Sequence, residues 1–284
     1  MQFAEFLKES AEKNKSIVCM GADPALEKIE LVIKKGDVEY KISKFYSEII
    51  ETCISENTLP AAVKPNYAFY AQYGFEGLRA LKTVCEKVKY AGIPLIFDGK
   101  RGDIGNTSTA YAKEAFEFWD ADCLTVAPYM GSDSVGPFIK YCEEKGKGVY
   151  ILNRTSNAGA VDLQNLIVEG KPLFLKTAEK IVEWGSKANG NVGAVVGATS
   201  IAELQQLAEY FASKKVPLLI PGVGKQGGSA QEVVKILQDS GSELALHRIN
   251  SSREINYAFE AEKTEDYAGA AVRAIQKMNK EIGL

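Results

Sequence analysis

The chain has a single histidine, His247, among its 284 residues. That excludes a histidine-based nucleophilic triad and any metal centre built from several imidazoles. It has no C-x-x-C pair; the five cysteines (Cys19, Cys53, Cys85, Cys123 and Cys142) are scattered and odd in number. A disulfide framework is not expected, and a reducing, cytoplasmic setting is. Cys19 and Cys123 lie in apolar runs, where thiols pack as small hydrophobes. No apolar run approaches the ~20 residues a membrane helix requires, and Met1–Glu9 carries acids rather than a secretory signal pattern. Neither charge sign dominates: 34 Lys and Arg against 37 Asp and Glu leave a net charge of −3. The field of the whole molecule therefore does not favour nucleic acid, and an anionic substrate needs a local basic site. The first apolar run ends in Met20-Gly-Ala-Asp23-Pro, without the G-x-G-x-x-G of a dinucleotide fold.

What is present is a repeating alternation. Eight short apolar runs recur: Ile17–Met20, Ala61–Val63, Leu95–Phe97, Leu124–Ala127, Val149–Leu152, Gly193–Val196, Leu218–Ile220 and Glu243–Leu246. Helix-like segments separate them. One carries Ile42, Phe45, Tyr46, Ile49, Ile50 and Cys53 on one face; another carries Val233, Val234, Ile236 and Leu237. Strands alternating with helices pair in parallel through right-handed crossovers. Eight such units predict one (β/α)8 TIM barrel over residues 1–284, a fold of typically ~250 residues. Met1–Asn14, with Phe3, Phe6 and Leu7 on one face, reads as an extra N-terminal helix placed to plug the barrel floor. Residues 263–282 read as the last helix, and 158–172 as an insertion on the active face.

In such a barrel the chemistry sits at the C-terminal strand ends. The third run passes directly into Asp98, Lys100 and Asp103, with Gly99 and Gly102 between them. Strand alternation puts Asp98 and Lys100 on one face, and neighbouring carboxylates keep the lysine protonated. Lysine held in that form is an acid rather than a base. The other strand ends supply Asp23, Lys64, Tyr129, Thr155 with Ser156, Thr199, the run from Gly222 to Gln226, and Arg253. Pro221-Gly-Val-Gly-Lys-Gln-Gly-Gly228 can bring backbone N–H groups onto an anion, and Arg253 offers a planar fork for phosphate oxygens. These two loops follow runs seven and eight, the usual phosphate position of this barrel class. Lys225 either adds charge there or is solvated. Ser156 and Asn157 either cap the next helix or face the barrel mouth.

The D-x-K-x-x-D-I segment formed by Asp98, Lys100, Asp103 and Ile104 resembles orotidine 5′-phosphate decarboxylase. So do Val63-Lys64-Pro65-Asn66-Tyr67 and the P-G-V-G-x-Q-G-G run. Asn-Arg-Thr-Ser-Asn at 153–157 and Asn-Ser-Ser-Arg at 250–253 are similar to the second, long-form subgroup. The resemblance implies decarboxylation of orotidine 5′-monophosphate to uridine 5′-monophosphate without metal or cofactor. It implies that Lys64, Asp98 and Lys100 form a charged chain, Lys100 stabilising and protonating the C6 carbanion. Asp103, with Ile104 and Thr107, would reach in from the neighbouring subunit of a homodimer. Asp23 would hold a ribose hydroxyl and Ser156 the pyrimidine, with Gly222, Gly224, Gln226 and Arg253 at the phosphate. Many relatives have a tyrosine three residues past the phosphate arginine; here Asn256 stands there and Tyr257 follows. The rival expectations are a magnesium-dependent sugar-phosphate decarboxylase or aldolase with the same D-x-K-x-x-D core, and a non-catalytic barrel that binds a phosphate ligand.

Overall fold

The computed structural model describes residues 1–224 and 228–283. Eight strands follow one another along the chain: β1 (Val18–Ala22), β2 (Ala62–Pro65), β3 (Ile96–Arg101), β4 (Cys123–Val126), β5 (Gly148–Arg154), β6 (Val192–Val196), β7 (Leu218–Ile220) and β8 (Arg248–Ser251). Each pairs in parallel with its sequence neighbours, and β8 pairs with β1. Parallel bridges from Val63 to Leu95 and from Asn66 to Asp98 join β2 to β3 and close the ring. The predicted barrel is the observed one.

The helical segments form where the apolar periodicity placed them. Val38–Ser55 buries Ile42, Phe45, Tyr46, Ile49, Ile50 and Cys53, and starts where the Asp37 carboxylate accepts from the Tyr40 N–H. Ala230–Asp239 starts at Ser229, whose hydroxyl accepts from the Glu232 N–H. Both are side-chain caps on otherwise orphaned helix donors. The final helix, Tyr267–Ile282, buries Tyr267, Ala271, Ile275, Met278 and Ile282.

Strand alternation sorts the core into two parts. Outward residues such as Val18, Met20, Val63, Leu124 and Ile249 pack beneath the helices. Inward residues Cys19, Ala62, Ile96, Cys123, Tyr150, Val195 and Leu219 fill the lower barrel. The N-terminal helix, Phe3–Asn14, lowers Phe3 and Leu7 into that inward cluster. Full burial of each is worth roughly 1.5–3 kcal/mol. Gly148 leaves room for the Phe3 ring, where a Cβ would collide. Phe6 is only half-buried and takes no part in the plug.

The eighth strand lies later than its apolar run suggested. Leu244–Leu246 forms a 3-10 turn, and the strand is Arg248–Ser251. Its inward side chain, Arg248, is fully buried. The guanidinium donates to the carbonyls of Ala61 (3.2 Å), Ala245 (3.0 Å), His247 (2.7 Å) and Leu7, tying the plug helix to the barrel floor. A buried cation is tolerated because several acceptors surround it. Residues 158–172 form a 3-10 turn (Ala158–Asp162) and a small hairpin, Val168 pairing with Lys171. No helix among the described residues is long and apolar enough to cross a membrane.

Candidate active site

The strand ends meet around one carboxylate. Asp98 Oδ1 accepts from Lys100 Nζ (2.7 Å) and from Thr125 Oγ1 (2.8 Å). Its Oδ2 accepts from Lys64 Nζ (2.8 Å) and Asn66 Nδ2 (3.2 Å). An ionised carboxylate has about four acceptor positions, so four donors saturate it. Burial alone would push the Asp98 carboxyl up, but Lys64 and Lys100 outweigh it and hold the group well below the usual carboxylate range. Burial likewise would lower the Lys64 ammonium; Asp98 and then Asp23 hold it above the ordinary lysine value. The two lysines differ in access. The side chain of Lys64 is 7% exposed and that of Lys100 is 49% exposed. Lys64 locks the carboxylate from within, and Lys100 presents ammonium hydrogens to the barrel mouth.

Regular alternation is not what brings Asp98 and Lys100 together. Phe97 pairs with Leu124 and Arg101 with Val126, so β3 advances four residues while β4 advances two. Lys100 sits in the left-handed region at φ 44°, uncommon for a residue with a Cβ. Its backbone N–H donates to Thr125 Oγ1 at 2.9 Å, so one threonine fixes both the bulge and the carboxylate. The sequence assigns no role to Asn66, which it shows only as part of the Val63–Tyr67 motif, or to Thr125. The signal was there for both: Asn66 lies two residues past Lys64 on the same face, and Thr125 is the one polar residue within β4.

Asp23 stands past the end of β1. Its Oδ2 accepts from Ser252 Oγ at 2.8 Å, while Oδ1 is buried with no partner among the described residues. A Cβ at Gly21 would strike Ser252 Oγ, so glycine there permits this contact. Ser252 belongs to the Asn-Ser-Ser-Arg run at 250–253, where the sequence assigns a role only to Arg253.

The loops after β5, β6 and β7 converge. Ser156 is half-buried, and its carbonyl accepts from Thr199 Oγ1 at 3.1 Å. Gly222, at φ 84°, packs so closely that an added Cβ would lie 3.1 Å from Ser156 Cβ. Asn157 precedes the 3-10 turn but makes no side-chain cap; its Oδ1 accepts from Thr155 Oγ1 instead. The capping alternative for Ser156 and Asn157 is therefore not what forms. Gly224, at φ 113°, lies against the Glu254 carboxylate. Arg253 is exposed at the start of the short helix Arg253–Asn256. Lys225 and Gln226 fall outside the described residues.

Tyr257 and Asn256 are committed elsewhere. The Tyr257 hydroxyl accepts from the Ala25 N–H (2.7 Å) and donates to the Asp23 carbonyl (3.1 Å). Asn256 is buried and donates to the Gly21 carbonyl at 2.8 Å. Both brace β1 from the β8 loop.

Asp103 does not join its own chain's cluster. Its Oδ1 accepts from the Ile104 N–H at 2.8 Å, and no ion pair holds it among the described residues. Lys100 therefore faces one carboxylate within a single chain, not two. Ile104 is 52% exposed, and Thr107 is exposed beside it in the first turn of Gly105–Lys113.

Fold and site together define a (β/α)8-barrel enzyme with a lysine–aspartate–lysine centre at the barrel mouth. Residues 16–280 match the family model described as orotidine 5′-phosphate decarboxylase / HUMPS, and the chain belongs to that family. It is 41% identical to an orotidine 5′-phosphate decarboxylase of Herpetosiphon aurantiacus, over 90% of each chain. It is 40% identical to that of Dechloromonas aromatica, over 100% of this chain and 99% of the other. Among solved structures, OMP decarboxylase from Leishmania donovani superposes with a TM-score of 0.76 at 33% identity, covering 100% of both chains.

Proposed function

We propose that this chain, as one barrel domain, decarboxylates orotidine 5′-monophosphate to uridine 5′-monophosphate in pyrimidine biosynthesis, and that Lys100 is the group that makes the step feasible. The bond from C6 to the carboxylate breaks, carbon dioxide departs, and the electron pair stays on C6. No conjugated sink takes that pair, so a fixed positive charge must stand beside it. The Lys100 ammonium supplies the charge, then transfers a proton to C6, and recovers one from solvent. Charge already in place costs no reorganisation as the carbanion forms. The observation that carries this reading is the saturated Asp98 carboxylate, which anchors the Lys100 ammonium at 2.7 Å while leaving its side chain open to the mouth.

Asp23, with its unpartnered Oδ1, is assigned to a ribose hydroxyl, and Ser156 to the pyrimidine. Gly222, Gly224, Gln226 and Arg253 are assigned to the phosphate. Phosphate contacts far from C6 can still lower the barrier, since their binding energy can order the charged chain. Asp103, Ile104 and Thr107 are assigned to the site of a second copy. Their absence from this chain's own cluster supports a homodimer with shared sites. Five free buried cysteines support a cytoplasmic setting.

The magnesium-dependent alternative needs carboxylates able to ligate a divalent cation. Asp98 is already neutralised by two ammonium groups, which makes it a poor ligand. The test is to mix purified protein with orotidine 5′-monophosphate in EDTA and follow carbon dioxide release. Stoichiometric release supports the proposal. Activity that returns only with magnesium supports the sugar-phosphate relatives, and binding without release supports a non-catalytic barrel.

A further inference from the structure

We infer that Arg101 is a positioning residue: with Glu114 and an aromatic clamp it pins the β3 bulge and so holds Lys100 in its working pose. The inference rests on the reading of Lys100 as proton donor. Arg101 is the residue at which strand pairing resumes after the bulge, its carbonyl accepting from the Ala127 N–H at 2.8 Å. Lys100 is thus fixed between Thr125, which holds its own N–H, and Arg101, which ends the irregular segment. A left-handed residue with a side chain persists only where its surroundings over-determine it.

The Arg101 side chain supplies that constraint. Its guanidinium meets Glu114 through Nε (3.1 Å) and Nη2 (2.8 and 2.9 Å). Its central carbon lies 4.5 Å from the Tyr67 ring centroid, 4.8 Å from Tyr111 and 5.9 Å from Phe97. Tyr67 follows Asn66, the donor to Asp98, so the clamp grips the ends of both β2 and β3. Glu114 is itself held, accepting from Trp119 Nε1 at 3.2 Å, and Trp119 stacks on Phe97 at 5.8 Å. Glu114 also opens a π-helical turn, Glu114–Phe118, where the preceding α-helix changes its winding. Such turns concentrate at functional sites. Gly99 makes the arrangement possible by space. A Cβ there would sit 2.9 Å from the Phe97 ring and 3.3 Å from Arg101 Nε.

Among the described residues no hydrogen bond or ion pair joins Arg101 or Glu114 to Lys64, Asp98 or Lys100. The effect on chemistry is therefore transmitted through the backbone of the bulge. Lysine at 101 would keep the charge but lose the planar fork and the stacking.

The experiment compares Arg101→Lys and Glu114→Gln with wild type and Lys100→Ala. Each is measured for kcat and KM on orotidine 5′-monophosphate. Affinity is measured for uridine 5′-monophosphate and for a uridylate bearing an oxyanion at C6, which mimics the carbanion charge. Misplacing a catalytic group by about 1 Å can cost ~100-fold. Arg101→Lys is expected to lose about 10- to 100-fold in kcat and a comparable factor in oxyanion affinity, with uridylate affinity within about twofold. Glu114→Gln is expected to move the same way by less. Unchanged kcat and oxyanion affinity in Arg101→Lys, beside an inactive Lys100→Ala, overturns the positioning role alone. Loss of uridylate affinity in step with kcat also overturns it, since that marks a general structural lesion. Full activity in Lys100→Ala overturns the reading beneath it. Should Arg101→Lys not fold, Glu114→Gln decides by the same criteria.

Discussion

Asp98 and Lys64 set the acid and alkaline limits of the central cluster in opposite senses. The carboxyl is depressed, so its contribution to stability is present above an unfolded value near ~3.9 and fades only as pH falls through its lower folded value. The ammonium is raised, so its contribution is present below ~10.4 and fades only as pH rises through its higher folded value. Between those limits the pair stays intact. His247 behaves differently. Burial and then the neighbouring Arg248 push its imidazole down to about 3, while its Nδ1 accepts from the Leu218 N–H at 3.1 Å. The unfolded chain takes up that proton first, so stability should fall with acidification from about pH 6.5 toward the lower value, at roughly 1.4 kcal/mol per pH unit. Urea unfolding between pH 7 and 4 checks this. His247→Asn should show a slope shallower by about one proton, and identical slopes would refute the assignment. At this scale the charged residues were legible, because lysines and acids at strand ends are conspicuous. Asn66, Thr125 and Ser252 were not, because a neutral polar residue beside a strand end is ordinary until its partner is seen.

Elements were legible where their burial pattern was uniform. Runs one to seven overlap the observed strands because both faces of a parallel barrel strand are covered and read as apolar. The eighth failed for the converse reason. Arg248 and Asn250 occupy inward positions of β8, which makes the strand read as polar, while the apolar Leu244–Leu246 beside it only turns. The β3 bulge was also hidden, since strict alternation and a bulge both put Asp98 beside Lys100. The loop after β8 is the element assigned to phosphate. Arg253 is exposed there and begins a helix whose interior residues, Ile255 and Asn256, are buried and anchored. Removing its side chain should leave that anchor untouched. Arg253→Ala is expected to keep its melting temperature and lose roughly 10³-fold in kcat/KM, with part of the loss in kcat. An unchanged kcat/KM would remove Arg253 from the site.

The barrel was legible from the count of alternating units, and so was its plug, from Phe3 and Leu7. A second copy was not visible in composition or periodicity and enters only with the family resemblance. Its strongest structural support is the position of Asp103, bound to its own loop rather than to Lys100. If sites are shared, mixing and refolding inactive Lys100→Ala with inactive Asp103→Ala should restore activity, because one site of each mixed dimer then carries neither lesion. No recovery would contradict the sharing of sites between two copies. The role proposed for the ammonium that Asp98 holds at the barrel mouth underlies all the others. Its most direct test is turnover of orotidine 5′-monophosphate by Lys100→Ala in EDTA, with uridine 5′-monophosphate affinity measured on the same sample. Turnover is expected to fall roughly 10⁴-fold or more with the nucleotide still bound; wild-type turnover in that variant would remove Lys100 from the chemistry.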